Sequence, residues 1–408
     1  MKKNFITNCD LDNWQVEIIR TIEGTERIRP IWERMQGLSP NAVINTDIDR
    51  YLSVMKTSEQ EYQPLILILR QYEQPKAMII GRRERHVVPW RIGYKVIFKP
   101  RLWCMTVIYG GVLGMPDEEV SSCLVRELMR VLRRREIDLI FFNHLRVDSV
   151  FYQQVRQVPH FFCRNPYPVV ESHWRMAIPE SMDAFFASCS KNQRKHYKRY
   201  LKTLESEFSN RIRLCTYTEE KDVSRAISDA AQISQNTYQY ALGVGLEDNL
   251  STGALFRMAA KKGWFRGHIL YLDGEPAAFR FALKYRRIYF GNGIGYDPKW
   301  KKYNIGTFSL LKVIEKLCQD GDVDYYDFGF GNAQWKECQN CESWPEAAMT
   351  YIYAPRLYPL TINMMGTLNT RVTLVATRLL RKTGVIGWIK RMWRRKLQRT
   401  SMKSKKRT

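Results

Sequence analysis

No stretch of this 408-residue chain stays apolar for the roughly 18–20 residues that a membrane-crossing helix needs, so no transmembrane span is expected. Lys2 and Lys3 are not followed by an apolar segment, because Asn8, Asp10, Asp12 and Asn13 interrupt it; no signal peptide is expected either. Cysteine is sparse. Nine residues, odd in number and without framework spacing, fit a reducing compartment and a cytosolic protein. Cys338 and Cys341 have metal-knuckle spacing but no second such pair exists, so no metal is expected. A Gly-x-x-x-x-Gly-Lys-Ser/Thr phosphate loop is also missing, which removes the commonest nucleotide signature.

Acidic residues stop at Glu346, and 15 Lys and Arg follow from Arg356 onward. The formal charge of +24 is therefore concentrated in the tail; the rest of the chain holds 50 basic against 41 acidic residues. From 371 to 408 the basic residues alternate with Ile386, Ile389, Trp393 and Leu397 at 3–4 spacing. That is the pattern of a basic amphipathic helix, suited to the anionic inner face of a membrane.

What is present is a repeat. Leu65–Leu69 leads through Glu73-Gln74-Pro75 to the strand Met78–Ile80, and His268–Leu272 leads through Gly274-Glu275-Pro276 to the strand Phe279–Leu283. Pro75 and Pro276 stand 201 residues apart. Each copy continues with a glycine-punctuated strand (107–111 and 288–293), an amphipathic helix and another apolar strand (138–142 and 324–328). Such a long period marks a duplicated α/β domain, since solenoid units are far shorter. Expected boundaries are 1–170, 171–357 and a basic tail at 358–408. Helices are expected over 25–36, 118–136, 182–188, 193–208 and 222–240.

The second copy carries the stronger chemical signal. Its strand 288–295 has glycines at 291, 293 and 295, which mark a bulge or a close backbone approach. Tyr303-Asn304-Ile305-Gly306-Thr307 then opens an amphipathic helix, with Gly306 allowing a tight turn and Thr307 able to cap. Such a helix start offers backbone N–H groups and a positive dipole end to a pyrophosphate. The following strand ends in Asp327-Phe328-Gly329-Phe330-Gly331.

Strand with glycines, loop, helix start and strand ending in Asp is the order of the Gcn5-related N-acyltransferase (GNAT) fold. Gly295-Tyr296-Asp297-Pro298, Lys302 to Thr307, Tyr326 to Gly331 and Trp335-Lys336 together resemble the CelD/BcsL acetyltransferases, bacterial proteins associated with cellulose biosynthesis. The basic segment Ser190–Arg199 and Thr237-Tyr238-Gln239 also fit that family, whereas Ile305 replaces its frequent proline. The layout is similar to the Fem-type ligases, which use tandem domains of this fold to add amino acids to peptidoglycan precursors.

The resemblance implies an α/β fold of two tandem GNAT-like domains with mixed central sheets. It implies an acyltransferase that takes acetyl-CoA or another acyl-CoA and acts on a sugar or envelope polysaccharide precursor. Its alternatives are a Fem-like transferase using aminoacyl-tRNA, with the basic run 191–202 for the tRNA, and a non-catalytic component of a polysaccharide-secretion complex. Expected roles are catalysis by Asp327 and Lys336, and donor binding by Asn292, Gly293, Ile294, Tyr303, Asn304, Ile305, Gly306 and Thr307. Acceptor binding is assigned to Arg194, Tyr238, Gln239 and Arg280. His173 carries no expected role.

Overall fold

The structure, a computed structural model, describes residues 6–9, 14–39, 43–58, 60–92, 95–237, 240, 245–331, 336 and 341–382. The chain forms two compact units: one runs to Glu171 and resumes at Pro345, the other is built from Ser172–Trp344.

In the first unit, β1 (Ile6–Cys9) and β2 (Trp14–Ile19) precede α1 (Ile22–Arg27) and α2 (Arg29–Leu38). The spacing over 25–36 predicts one helix here. Pro30, in the first turn of α2, splits it in two because proline has no N–H to continue the ladder. Then come α3 (Ile48–Thr57), β3 (Gln63–Gln71), β4 (Gln74–Val87), the small β5 (Trp90–Ile92) and β6 (Lys95–Phe98) pair, and β7 (Arg101–Gly114). α4 (Glu118–Arg133), β8 (Leu139–Arg146) and α5 (Val150–Gln157) follow.

The second unit opens with β9 (Val170–Ala177), α6 (Met182–Ser188) and α7 (Lys191–Phe208), which starts at a Ser190/Gln193 capping box. β10 (Ile212–Tyr217), α8 (Glu220–Gln235) and α9 (Leu250–Lys261) lead to β11 (Phe265–Leu272), β12 (Glu275–Tyr285) and β13 (Ile288–Tyr296). α10 (Ile305–Asp320) and β14 (Tyr325–Phe330) complete it. The chain then returns to the first unit through β15 (Cys341–Tyr353) and α11 (Leu357–Lys382).

Strand order is β1-β2-β3-β4-β7-β8-β15 in the first unit and β9-β14-β13-β12-β11-β10 in the second. Both sheets are mixed, each with one parallel pair, β7 with β8 and β13 with β14. The duplication is visible in detail. Tyr72 and Glu73 (φ 49° and 64°) turn one hairpin, and Asp273 and Gly274 (φ 52° and 80°) turn the other. Positive φ at both central residues is what a two-residue hairpin needs to match the twist of its strands. Each hairpin also shifts register at the corresponding place, Leu69/Arg70 and Leu270/Tyr271.

Alternation along the strands sends side chains to two cores in each unit. In the first, Leu67, Ile79 and Val107 pack with α4 and α5, while Ile66, Ile68 and Ile80 meet Trp32 and Tyr51 of α2 and α3. In the second, α6, α7 and α10 cover one face. On the other face, Phe256 of α9 packs edge-on against Phe281 of β12 at 5.3 Å.

Two features differ from the expectations. Residues 345–353 were expected in the second copy, yet β15 pairs from Glu346 to Tyr353 with Arg146 to Leu139 of β8. The pairing gives β8 a second neighbour and places Ile352 in the core of the first unit. The C-terminal helix begins at Leu357, and residues 383–408, including Ile386, Ile389, Trp393 and Leu397, lie outside the described residues.

Candidate active site

β13 and β14 run side by side for three pairs, Ile288 with Tyr325, Tyr289 with Tyr326 and Phe290 with Asp327, and then part. β13 continues to Tyr296 against β12, and β14 continues to Phe330 against β9. At the start of this opening β13 bulges: Ala282 faces Gly291 and Phe281 faces Gly293, so Asn292 is the extra residue. Bulges interrupt the ladder and re-aim the groups beside them. The next glycine is required by packing, since a Cβ at 295 would lie 2.4 Å from the Phe279 ring.

A cavity of about 560 Å³ occupies the opening. Gly291, Asn292, Gly293 and Ile294 form one wall, Tyr326 and Phe328 another, with Phe279, Thr252, Phe256 and Lys336 around them. Thus Asn292, Gly293, Ile294 and Lys336, expected at the site, do share one cavity. The Lys336 ammonium donates to the Gly329 and Phe330 carbonyls at the end of β14, at 3.2 and 2.6 Å.

At the start of α10 the left-handed residue is Asn304 (φ 53°, ψ 40°), not Gly306. Thr307 does not cap. Its amide and that of Phe308 both donate to the Asn304 carbonyl, at 2.9 and 3.1 Å, which places Thr307 inside the first turn. No side chain caps the helix; of its first two residues Ile305 is fully buried and Gly306 half-buried. Gly306 serves a different need from the expected one: a Cβ there would stand 3.1 Å from Cδ1 of Tyr296. Tyr303 is half-buried against the core, its ring edge-on to Phe208 at 5.1 Å.

Of the four expected acceptor residues, the two described ones, Arg194 and Arg280, do not line the cavity. Arg280 is buried on the face of β12 opposite Phe279, where its Nη2 donates to the Gly306 carbonyl at 2.8 Å. It therefore braces the helix start from behind. Arg194 donates to the Ala187 carbonyl at 3.1 Å, at the end of α6, and does not line the cavity. Tyr238 and Gln239 lie outside the described residues.

Asp327 is buried, and both its oxygens meet Nε2 of His173, at 2.8 and 2.9 Å. The Gly329 amide donates to Oδ1 at 2.7 Å. The imidazole is itself fixed, stacked on Trp344 at 4.5 Å and edge-on to Phe330 at 4.8 Å. Asp327 is also the last β14 residue paired with β13, where the strands part, although neither it nor His173 is among the residues lining the cavity. His173 is the residue that sequence reasoning missed. Its partner is 154 positions away and no local spacing announces it.

Beside Arg280, His268 is buried, with Nδ1 at 3.0 Å from the Thr216 hydroxyl. Burial, helped by Lys316, Arg266 and Arg280, pushes its pKa down to about 3 from 6.5. The folded state thus binds fewer protons than the unfolded state between those values, and stability falls as pH drops through that window. Urea unfolding is expected to show a loss of roughly 1.4 kcal/mol per pH unit below about pH 6, flattened in His268→Gln. An undiminished slope in that variant would assign the acid sensitivity to other groups.

The first unit has the same parallel pair, Cys104–Val107 with Leu139–Phe142. Its bulge is closed, however. A Cβ at Gly110 would lie 2.5 Å from Cγ2 of Val43, beside Thr46, so the 43–46 segment already covers it. The helix that follows is capped by the Asp117 side chain on the Val120 amide at 2.9 Å and carries Glu118 and Glu119 in its first turn. An anion would meet like charge there. Among the described residues, no cluster of three His, Cys, Asp or Glu side chains is placed to hold a metal ion.

Residues 191–337 match the family described as an acetyltransferase (GNAT) domain. A solved structure of FemX superposes with a TM-score of 0.53 at 8% identity, covering 79% of this chain and 96% of that one. A tandem GNAT protein from the clavulanic acid biosynthesis pathway superposes with a TM-score of 0.51 at 10% identity, covering 84% of this chain and 99% of that one. The fold is GNAT, in tandem. At these identities the structural likeness establishes the GNAT fold alone, and no curated protein matches the chain in sequence. The GNAT match falls on the unit with the open cavity and the uncapped helix.

Proposed function

We propose that the second unit transfers an acyl group from acyl-CoA, in the simplest case acetyl-CoA, to an amine or hydroxyl. As the resemblance to CelD/BcsL proteins implies, the acceptor is a sugar or envelope polysaccharide precursor. The observation that carries this reading is the pairing of an uncapped helix start with a strand opening that leads to a bulge. The Gly306 amide, with the dipole of α10 behind it, suits a pyrophosphate. The unpaired edge of β13 suits the amide groups of a pantetheine arm, and amides around Asn292–Ile294 suit the thioester carbonyl oxygen as negative charge develops on it.

The nucleophile attacks the thioester carbon, the C–S bond breaks with its electron pair going to sulfur, and CoA leaves as the thiolate, which takes a proton from water. Asp327, oriented by His173, accepts the proton given up by the attacking group, directly or through one water. Lys336 fastens the end of β14 beside the reacting group and adds positive charge to that wall of the cavity. The first unit does no chemistry in this reading, since Val43 covers its bulge and Asp117 caps its helix.

The exposed N-terminal half of α7 favours one second reading. Lys191, Arg194, Lys195, Lys198 and Arg199 face solvent with no carboxylate before Glu205, a surface suited to tRNA in an aminoacyl-tRNA-dependent transfer. The two separate by experiment. Micromolar CoA binding by calorimetry, with thiol release from acetyl-CoA on adding amino sugars or polysaccharide fragments, supports the first. Release of aminoacyl groups from charged tRNA without CoA binding overturns it in favour of the second.

A further inference from the structure

The first unit carries a surface that acyl transfer does not use. α11 carries apolar side chains on two of its faces. Pro359, Ile362 and Asn363 face inward, and Leu357, Met364, Met365, Leu368, Val372 and Val375 form an outward stripe at helical spacing. Exposure reaches 86% at Leu357 and 63% at Leu368. A contiguous apolar stripe of this length facing water, flanked by polar side chains, marks a surface that a partner covers.

The stripe does not stand alone. Asn363 donates through Nδ2 to the carbonyls of Phe162 (2.8 Å) and Arg164 (3.0 Å), fastening the turn Phe161–Cys163 alongside the helix. Phe161 and Phe162 are each about half exposed there. Arg164 and Arg371 edge the shallow groove of about 210 Å³ between turn and helix, and Arg371 Nε donates to the Tyr167 hydroxyl at 3.0 Å. Further along α11 the sequence adds Arg378, Arg381 and Lys382, and no acidic residue follows Glu346.

Charge decides between occupants. A second protein chain would pair these cations with carboxylates, and this surface offers none of its own to a second copy. An anionic lipid surface supplies both an apolar boundary for the stripe and a sheet of negative charge for its rim. Among the described residues no helix is long and apolar enough to cross a membrane, so α11 would lie in the interface plane. We propose that α11 and the Phe161-Phe162 turn dock the protein on an anionic membrane surface. This inference does not depend on the acyl-transfer reading.

The test is flotation of the full chain with vesicles of phosphatidylcholine mixed with phosphatidylglycerol, against phosphatidylcholine alone. Binding to the anionic vesicles only, weakening as salt rises, is expected. A Met364→Glu/Leu368→Glu variant changes two exposed side chains, so it should keep the parent's circular dichroism and melting. It is expected to lose about tenfold or more in vesicle partitioning, from the apolar area those two side chains would bury. Equal binding by the variant would show that the stripe is not the docking surface. A parent that ignores vesicles also overturns the proposal. One that self-associates in sedimentation, with the variant monomeric, reassigns the stripe to a contact between copies.

Discussion

Replacing Asp327 with asparagine is expected to slow turnover about 10²–10⁴-fold, the range for losing a general base, with CoA affinity nearly unchanged. The substitution is nearly isosteric, and its amide oxygen can still accept from the Gly329 amide that now bonds Oδ1 at 2.7 Å. The fold should therefore persist while the charge and the proton acceptor are lost. His173→Gln separates positioning from chemistry, because its amide can still donate to the carboxylate but cannot reproduce the stacked imidazole. Its kcat is expected to fall less than that of Asp327→Asn, and its pH–rate profile should shift. Thiol release measured beside calorimetric CoA titration resolves the two parameters. Full turnover in Asp327→Asn would leave the His–Asp pair as a fastening between β9 and β14.

Gly306→Val is expected to weaken CoA binding by about ten- to a hundredfold, as over-packing at a tight contact costs about 1–3 kcal/mol. The first added atom already stands 3.1 Å from Tyr296, and the two methyl groups beyond it would crowd the ring and the helix start. Folding should survive, since valine is a better helix residue than glycine and φ at 306 is not in the left-handed region. Gly306→Ala gives an intermediate case in which Tyr296 needs to move only a few tenths of an ångström. Calorimetry of the two variants against the parent reads the series. A valine variant that binds CoA like the parent would remove the helix start from the donor site.

Much of this was legible in the sequence because it is local. A hairpin with a two-residue turn and a proline three positions on leaves the same mark in both copies, and glycines at 291, 293 and 295 announce a bulge without any partner strand being known. The helix after Asn304 is legible for the same reason, although which residue turns left-handed is not. Glycine takes that conformation freely and asparagine only occasionally, so the pattern alone favours Gly306 over Asn304. Arg280 shows the limit. Alternation along β12 separates it from Phe279 and Phe281, but only the packed sheet shows which face holds the cavity. The His173–Asp327 pair and the return of β15 to β8 are long-range pairings between segments that carry no mark of each other.

That return has a consequence for how the chain is made. Everything from Ser172 to Trp344 is written inside the first unit, whose sheet lacks β15 until residue 353 has been synthesised. During translation the earlier half waits with β8 open on one side, an edge able to pair wrongly, while the later half has a contiguous sequence and can close first. The ribosome thus delivers the two halves in one order and completes them in the other. A break in the chain near residue 344 would cost the first unit its last strand although the cut falls in the second.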